Sequence, residues 1–194
     1  MLYWVLRFLA MLLCKIFFRF QAKGRENIPE RGGFILASNH ASYLDPIVLG
    51  VACPRKLNFM SKQELFVNPL FSRILSRVGA FPVKRDSADL SAVKEAMRRV
   101  RKGMALVLFP EGSRKFDGTS QQPYPGIGFL TAKLNVPVVP VFIRGTEMAL
   151  PKKAKFIRPT KVTLYFGQQI SIERRMPYQD IAQLIMENIR HLSC

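Results

Sequence analysis

The feature that most constrains this chain is a set of short, nearly unbroken apolar runs, chief among them Phe34–Ser38, Ala105–Phe109 and Val138–Ile143. A strand with one wet face alternates apolar and polar residues, whereas a strand covered on both faces reads as a continuous run. Further runs of strand character lie at Leu57–Met60, Phe81–Lys84 and Val162–Phe166. Helical patterns separate them, at Pro46–Ala52, Pro69–Arg77, Ile127–Leu134 and Pro177–His191. Another covers Ser87–Lys102, where Leu90, Val93, Met97 and Val100 recur at helical spacing before the stop signal Gly103. This alternation predicts an α/β domain built on a largely parallel, mixed sheet covered by helices. The stretch Val136-Pro137-Val138-Val139-Pro140-Val141 carries two prolines, which predicts an edge strand or an irregular one.

Charge sets the class of partner. Thirty Lys+Arg against thirteen Asp+Glu give a formal charge of +17, in a chain that is 48% hydrophobic. That apolar content excludes a disordered basic tail. A folded protein so charged meets nucleic acid, a membrane surface or a phosphorylated substrate. Aromatic-plus-basic sheet motifs and recognition helices are not evident, which speaks against nucleic acid. Cys14, Cys53 and Cys194 are widely spaced, and only His40 and His191 could join them as soft ligands. The expectation is a reducing compartment and no metal site.

The first twenty residues, MLYWVLRFLAMLLCKIFFRF, are the most apolar stretch. A secretory leader places its cations ahead of the apolar run and ends in small residues, and this stretch does neither. At 100° per residue Arg7, Lys15 and Arg19 share one side, while Leu2, Leu6, Leu9, Leu13, Ile16 and Phe20 fill the other. Such a helix suits the headgroup plane, with a core helix and a single membrane span as the other readings. The expected division is an interfacial membrane helix over residues 1–22 and one further domain over 23–194. Basic residues precede the first acid, Glu26, which favours the anionic, cytoplasmic face of the cell membrane as a peripheral or monotopic site.

Chemistry-bearing residues follow the predicted strands, where α/β proteins place their ligand sites. Asn39-His40-Ala41-Ser42-Tyr43-Leu44-Asp45 follows the first long run. A turn can bring Asp45 onto the His40 imidazole, fixing its tautomer and leaving the other nitrogen as a general base. Asp45-Pro46 also reads as a helix cap with proline at the first helical position, and both readings can hold at once. Phe109-Pro110-Glu111-Gly112-Ser113-Arg114 follows another run and opens the polar, breaker-rich stretch Glu111–Pro125. Glu111 and Arg114 are there either a ligand-binding turn or a solvated pair, the arginine being suited to phosphate. Gly79–Arg85 ends in consecutive cations, Lys84 and Arg85.

Taken in order, these blocks resemble the glycerophospholipid acyltransferase family, in particular the 1-acylglycerol-3-phosphate acyltransferases. The family's N-H-x4-D pattern matches Asn39 to Asp45, and G-x-x-x-[IV]-x-R matches Gly79, Val83 and Arg85. Its F-P-E-G-[TS]-R pattern matches Phe109 to Arg114, and V-P-V-x-P-V matches Val136 to Val141. The resemblance spans roughly residues 25 to 145. Ser113 stands where threonine is commoner, and Pro82 where an aromatic or aliphatic residue is commoner.

The resemblance implies a glycerolipid acyltransferase fold and transfer of a fatty acyl group from acyl-CoA or an acyl-carrier-protein thioester to lysophosphatidic acid, giving phosphatidic acid. It implies His40 as base and Asp45 as its orienter, and no cofactor beyond the thioester co-substrate. Arg85, Glu111, Gly112, Ser113 and Arg114 would bind the acceptor. Lys62 matches a lysine common after the second strand of the family and is a candidate for phosphate or oxyanion stabilisation, or a solvated lysine. Glycerol-3-phosphate or another lysolipid is the alternative acceptor, and a non-catalytic lipid-binding module the alternative outside enzymes. The G-x-S-x-G elbow of serine hydrolases is absent, so direct attack is expected rather than an acyl-enzyme. Lys152-Lys153-Ala154-Lys155 is a candidate contact for anionic lipid or for a carrier protein.

Overall fold

The structure, a computed structural model, describes residues 2–84, 89–112, 122–151, 154, 156–172 and 175–193. Arg85, Ser113, Arg114, Lys152, Lys153, Lys155 and Cys194 lie outside the described residues.

Seven strands form one sheet: β1 (Gln21–Lys23), β2 (Phe34–Ser38), β3 (Leu57–Lys62), β4 (Ala80–Val83), β5 (Ala105–Leu108), β6 (Val138–Arg144) and β7 (Thr163–Phe166). Their spatial order is β1-β7-β6-β2-β5-β3-β4. Every neighbouring pair is parallel except β6 and β7. All six predicted strands are therefore present, within a residue or two of the expected ends.

The apolar runs are continuous because alternate residues enter two different cores. Phe34 and Leu36 of β2, with Ala105 and Val107 of β5, pack on one face against α1 (Leu2–Phe18) and α2 (Asp45–Ala52). Ile35, Ala37, Leu106 and Leu108 pack on the other, against α4 (Leu90–Arg101), α5 (Pro125–Leu134) and α7 (Tyr178–His191). The α7 stripe Ile181, Ala182, Ile185 and Ile189 follows helical spacing and is wholly buried. Two helices complete the set, α3 (Pro69–Arg77) between β3 and β4, and α6 (Thr146–Ala149) directly after β6.

The proline-bearing strand β6 is central, not an edge. It is hydrogen-bonded to β2 on one side and β7 on the other. Pro140 is tolerated because its nitrogen points to the β7 side, where the antiparallel ladder gives way after Phe166. There Gly167 donates to the Pro140 carbonyl, and the neighbouring chain returns only as an isolated bridge at Ile170. The strand is thus locally irregular where the missing donor would fall. Gly79 also has a structural reason: its φ is +98°, and a Cβ there would sit 2.2 Å from the Leu57 carbonyl oxygen.

The N-terminal helix departs from its expected orientation. Arg7 is not part of an outward basic face. Its guanidinium donates to the carbonyls of Gly50, Val51 and Cys53, at 2.9, 3.0 and 3.0 Å, satisfying orphan acceptors at the C-terminal end of α2. Cys14 and Phe18 enter the core, and burying the Phe18 ring alone stabilises the fold by roughly 1.5–3 kcal/mol. The expected boundary between residues 22 and 23 falls inside β1, which pairs with β7. No helix among the described residues is long and apolar enough to cross a membrane.

Asp89 ties the residue after β4 to the first turn of α4. Its carboxylate accepts from the Lys84 amide and caps α4 by accepting from Ser91 and Ala92. These donors lower its pKa to about 2, the Lys84 amide most. The stabilisation is thus complete above the ordinary value near 4 and fades as pH falls through about 2. Asp89→Ala lowers the melting temperature at pH 7, and thermal melts followed by circular dichroism show that deficit shrinking between about pH 4 and pH 2. A deficit independent of pH would contradict the assignment.

Candidate active site

The site sits at the carboxyl ends of the three central strands β6, β2 and β5. Asn39, one residue past β2, extends the ladder with its side chain: Nδ2 donates to the Ile143 carbonyl at 2.9 Å, and Oδ1 accepts from the Ile143 amide at 2.7 Å. This pair of hydrogen bonds ties the turn after β2 to the end of β6.

The next residue is His40, only 8% exposed. Its Nδ1 lies 2.8 Å from Asp45 Oδ2, and its ring stacks on Phe109 with centroids 3.9 Å apart. Asp45 is fully buried. Oδ2 also accepts from the amides of Ala41 at 2.7 Å and Ser42 at 2.8 Å, while Oδ1 accepts from the Thr146 hydroxyl at 2.6 Å. The carboxylate therefore reaches backwards into the turn. It does not cap α2 by accepting from downstream amides, as the sequence allowed, and Pro46 alone keeps its expected place at the helix start.

With Asp45 accepting at Nδ1, the imidazole carries its proton there and presents the Nε2 lone pair, the arrangement required of a general base. Nε2 has no hydrogen-bond partner among the described residues.

Glu111, past the end of β5, accepts from the His40 backbone amide through Oε2 at 3.0 Å. Its described contact positions the histidine turn. Burial pushes its pKa up, and the His40 amide opposes this. Gly112 has φ +65°, and a Cβ there would lie 2.8 Å from the Tyr124 ring. Tyr124 donates its amide to the Pro110 carbonyl at 2.9 Å.

The structure thus brings together His40, Asp45, Glu111 and Gly112. It shows no hydrogen bond or ion pair from Lys62 to any of them. That side chain is exposed at the end of β3, which lies two strands from β2, about 10 Å away at ordinary strand spacing. Strand alternation turns it to the face opposite Phe59, whereas Phe59 and the His40 partner Phe109 pack with the same core. Thr146 was missed in the sequence. The signal available was Gly145-Thr146-Glu147 directly after a predicted strand: Gly145 has φ +99°, and its amide donates to the Glu147 carboxylate.

A sequence model described as Acyltransferase matches residues 19–144, which include His40, Asp45, Glu111 and Gly112 but not Gly145, Thr146 or Glu147. The chain belongs to the acyltransferase family. Among similar proteins of the family is a chloroplastic 1-acyl-sn-glycerol-3-phosphate acyltransferase of Brassica napus, 33% identical over 138 residues, which cover 70% of this chain and 40% of that one. A Bacillus subtilis 1-acyl-sn-glycerol-3-phosphate acyltransferase is 35% identical over 91 residues, 46% of each chain. The chain therefore spans less than half the length of these relatives. A similar solved structure is the 1-acyl-sn-glycerophosphate (LPA) acyltransferase PlsC of Thermotoga maritima. The TM-score is 0.75 at 25% identity, covering 90% of this chain and 70% of that one.

The raised pKa of Glu111 has a consequence for stability. The folded chain holds this proton to higher pH than the unfolded chain. The advantage is present below the ordinary carboxylate value and is lost as pH rises through the folded one. Glu111→Gln keeps an acceptor for the His40 amide and cannot ionise. Its stability relative to the parent, measured by urea unfolding, improves as pH rises from about 4 to 7. Parallel curves at all pH values would show that burial does not disfavour the Glu111 charge.

Proposed function

We propose that this chain transfers a fatty acyl group from a thioester to the sn-2 hydroxyl of 1-acylglycerol-3-phosphate, giving phosphatidic acid in phospholipid biosynthesis. The observation that carries the reading is the His40–Asp45 pair at the carboxyl edge of the sheet, with Nε2 unoccupied by any described side chain. The names of the similar proteins support the choice of acceptor.

His40 Nε2 takes the proton of the acceptor hydroxyl as its oxygen attacks the thioester carbonyl. The tetrahedral intermediate then collapses, the carbon–sulfur bond breaks, and the proton passes from Nε2 to the leaving thiolate. Asp45 keeps the ring in the required tautomer and stabilises the transient imidazolium. A base so placed contributes typically about 10²–10⁴-fold in rate. Glu111 and Gly112 shape the acceptor loop, and Ser113, Arg114 and Arg85 supply its hydroxyl and cations, the arginines matching a phosphate in charge and fork geometry. The activated acyl group arrives on its own carrier, acyl-CoA or acyl-carrier protein, and the reaction needs no further cofactor. Lys62 has no step here.

The lipid substrates and the outer face of α1 fit one another. Trp4, Phe8, Leu9, Leu13 and Ile16 are exposed, an apolar stripe with Lys15 beside it. This stripe seats the chain on the anionic, cytoplasmic leaflet as a peripheral anchor.

The test is release of free thiol from palmitoyl-CoA that depends on lysophosphatidic acid. His40→Ala lowers turnover by at least about 10²-fold while acceptor binding is retained. An acyl-serine trapped on mixing with the donor would overturn direct attack, and thiol release without acceptor would overturn the transferase reading.

A further inference from the structure

The helix α3 and the 3-10 turn before it, Gln63–Phe66, expose an apolar face that the chain leaves uncovered. Asn68 caps α3 by accepting from Leu70 and Phe71, and Pro69 occupies the first helical position, so the helix is held in shape by its own ends. Yet α3 buries no residue. Its apolar residues Leu70, Phe71, Ile74 and Leu75, with Val78 just beyond, form one contiguous stripe. One edge of that stripe, Leu75 and Val78, lines an apolar groove of about 330 Å³. The rest faces outwards: Val67 is 80% exposed, Leu70 67%, and Leu65, Phe71 and Ile74 are exposed as well.

The groove joins this face to the rest of the molecule. Its other bank is α1, through Tyr3, Leu6 and Ala10, and its floor includes Pro46 and Ile47, the two residues after Asp45. The groove thus runs past the start of α2 and opens between two exposed apolar helices. Charge indicates what covers them. The exposed cations Arg73 and Arg77 lie on α3 and Lys62 just before it, against one exposed acid, Glu64; Lys15 lies on α1. Apolar side chains with cations around them match an anionic lipid surface, into which the aliphatic and aromatic groups sink while the basic heads stay at the phosphates.

We propose that residues 63–77 are a second lipid-inserting element, set across the groove from α1, so that the chain rests on an anionic membrane through two apolar faces. This rests on the lipid acceptor of the proposed function.

The experiment uses the full chain and vesicles of phosphatidylcholine with phosphatidylglycerol, and of phosphatidylcholine alone. The double substitution Val67→Asp/Leu70→Asp touches exposed residues only, and its melting curve reports the fold. Partition into the anionic vesicles weakens by about tenfold or more, while turnover of a short-chain acceptor dissolved as monomer is retained. A tryptophan introduced as Val67→Trp in a Trp4→Phe background is quenched by bromine-labelled acyl chains. Unchanged partition of the double variant, or no quenching in vesicle-bound protein, overturns the proposal and leaves the transferase reading intact. Loss of all turnover in the parent would instead sink the transferase reading. A lipid-free dimer that the double substitution dissolves, seen by sedimentation velocity, would assign the face to a second copy and overturn the proposal as well.

Discussion

The architecture of the site depends on one buried carboxylate. Asp45 accepts four hydrogen bonds, from the His40 ring, the Ala41 and Ser42 amides and the Thr146 hydroxyl. An unpaired carboxylate out of water would cost several kcal/mol, and removing this one would leave four donors without an acceptor. The cost is met only if three segments distant in sequence meet at one point. The turn after β2 supplies the histidine and two amides, the start of α2 supplies the acid, and the segment after β6 supplies the hydroxyl. Asn39 locks the first and third together through Ile143, and Glu111 brings in the loop after β5 through the His40 amide. The geometry of the site and the central sheet therefore form one hydrogen-bonded structure.

That structure divides the molecule into two unlike faces. Beneath α4, α5 and α7 the sheet closes over a conventional core, with Ile181, Ile185 and Ile189 fully buried. On the other face α1 and α3 bury little of their apolar surface, and the groove between them leads to the residues after Asp45. Arg7 resolves the apparent oddity of a cation inside an apolar helix. It is directed inward to the end of α2, which leaves the outer stripe of α1 uniformly apolar between Trp4 and Leu13. The net charge of +17 accordingly does not reside in the apolar stripe itself.

Much of this was legible from residue types because the same physics writes both. Continuous apolar runs predicted strands covered on two faces, and the two separate cores account for them. The His40-x4-Asp45 spacing predicted a turn that could close an imidazole on a carboxylate, and it does. What stayed hidden was set by tertiary pairing alone. The strand β1 is three residues long and polar, and exists because β7 hydrogen-bonds it. Pro140 looked like an edge signal because its partner's departure from the ladder at Gly167 leaves no trace in a linear pattern. Thr146 stands 101 residues from Asp45, and no local spacing reports that separation. Lys62 matched by position in the chain, whereas strand order and side-chain alternation carry it away from the histidine.

Asp45, accepting at Nδ1 of His40, sets the proton there and leaves Nε2 unprotonated. Nitrogen-15 NMR of the neutral imidazole reads this directly, since a protonated and an unprotonated ring nitrogen resonate far apart. The account predicts Nδ1 as the protonated nitrogen and Nε2 as the unprotonated one in the parent, with that preference lost in Asp45→Asn. A neutral ring protonated at Nε2 in the parent, or the same tautomer mixture in parent and variant, would contradict it.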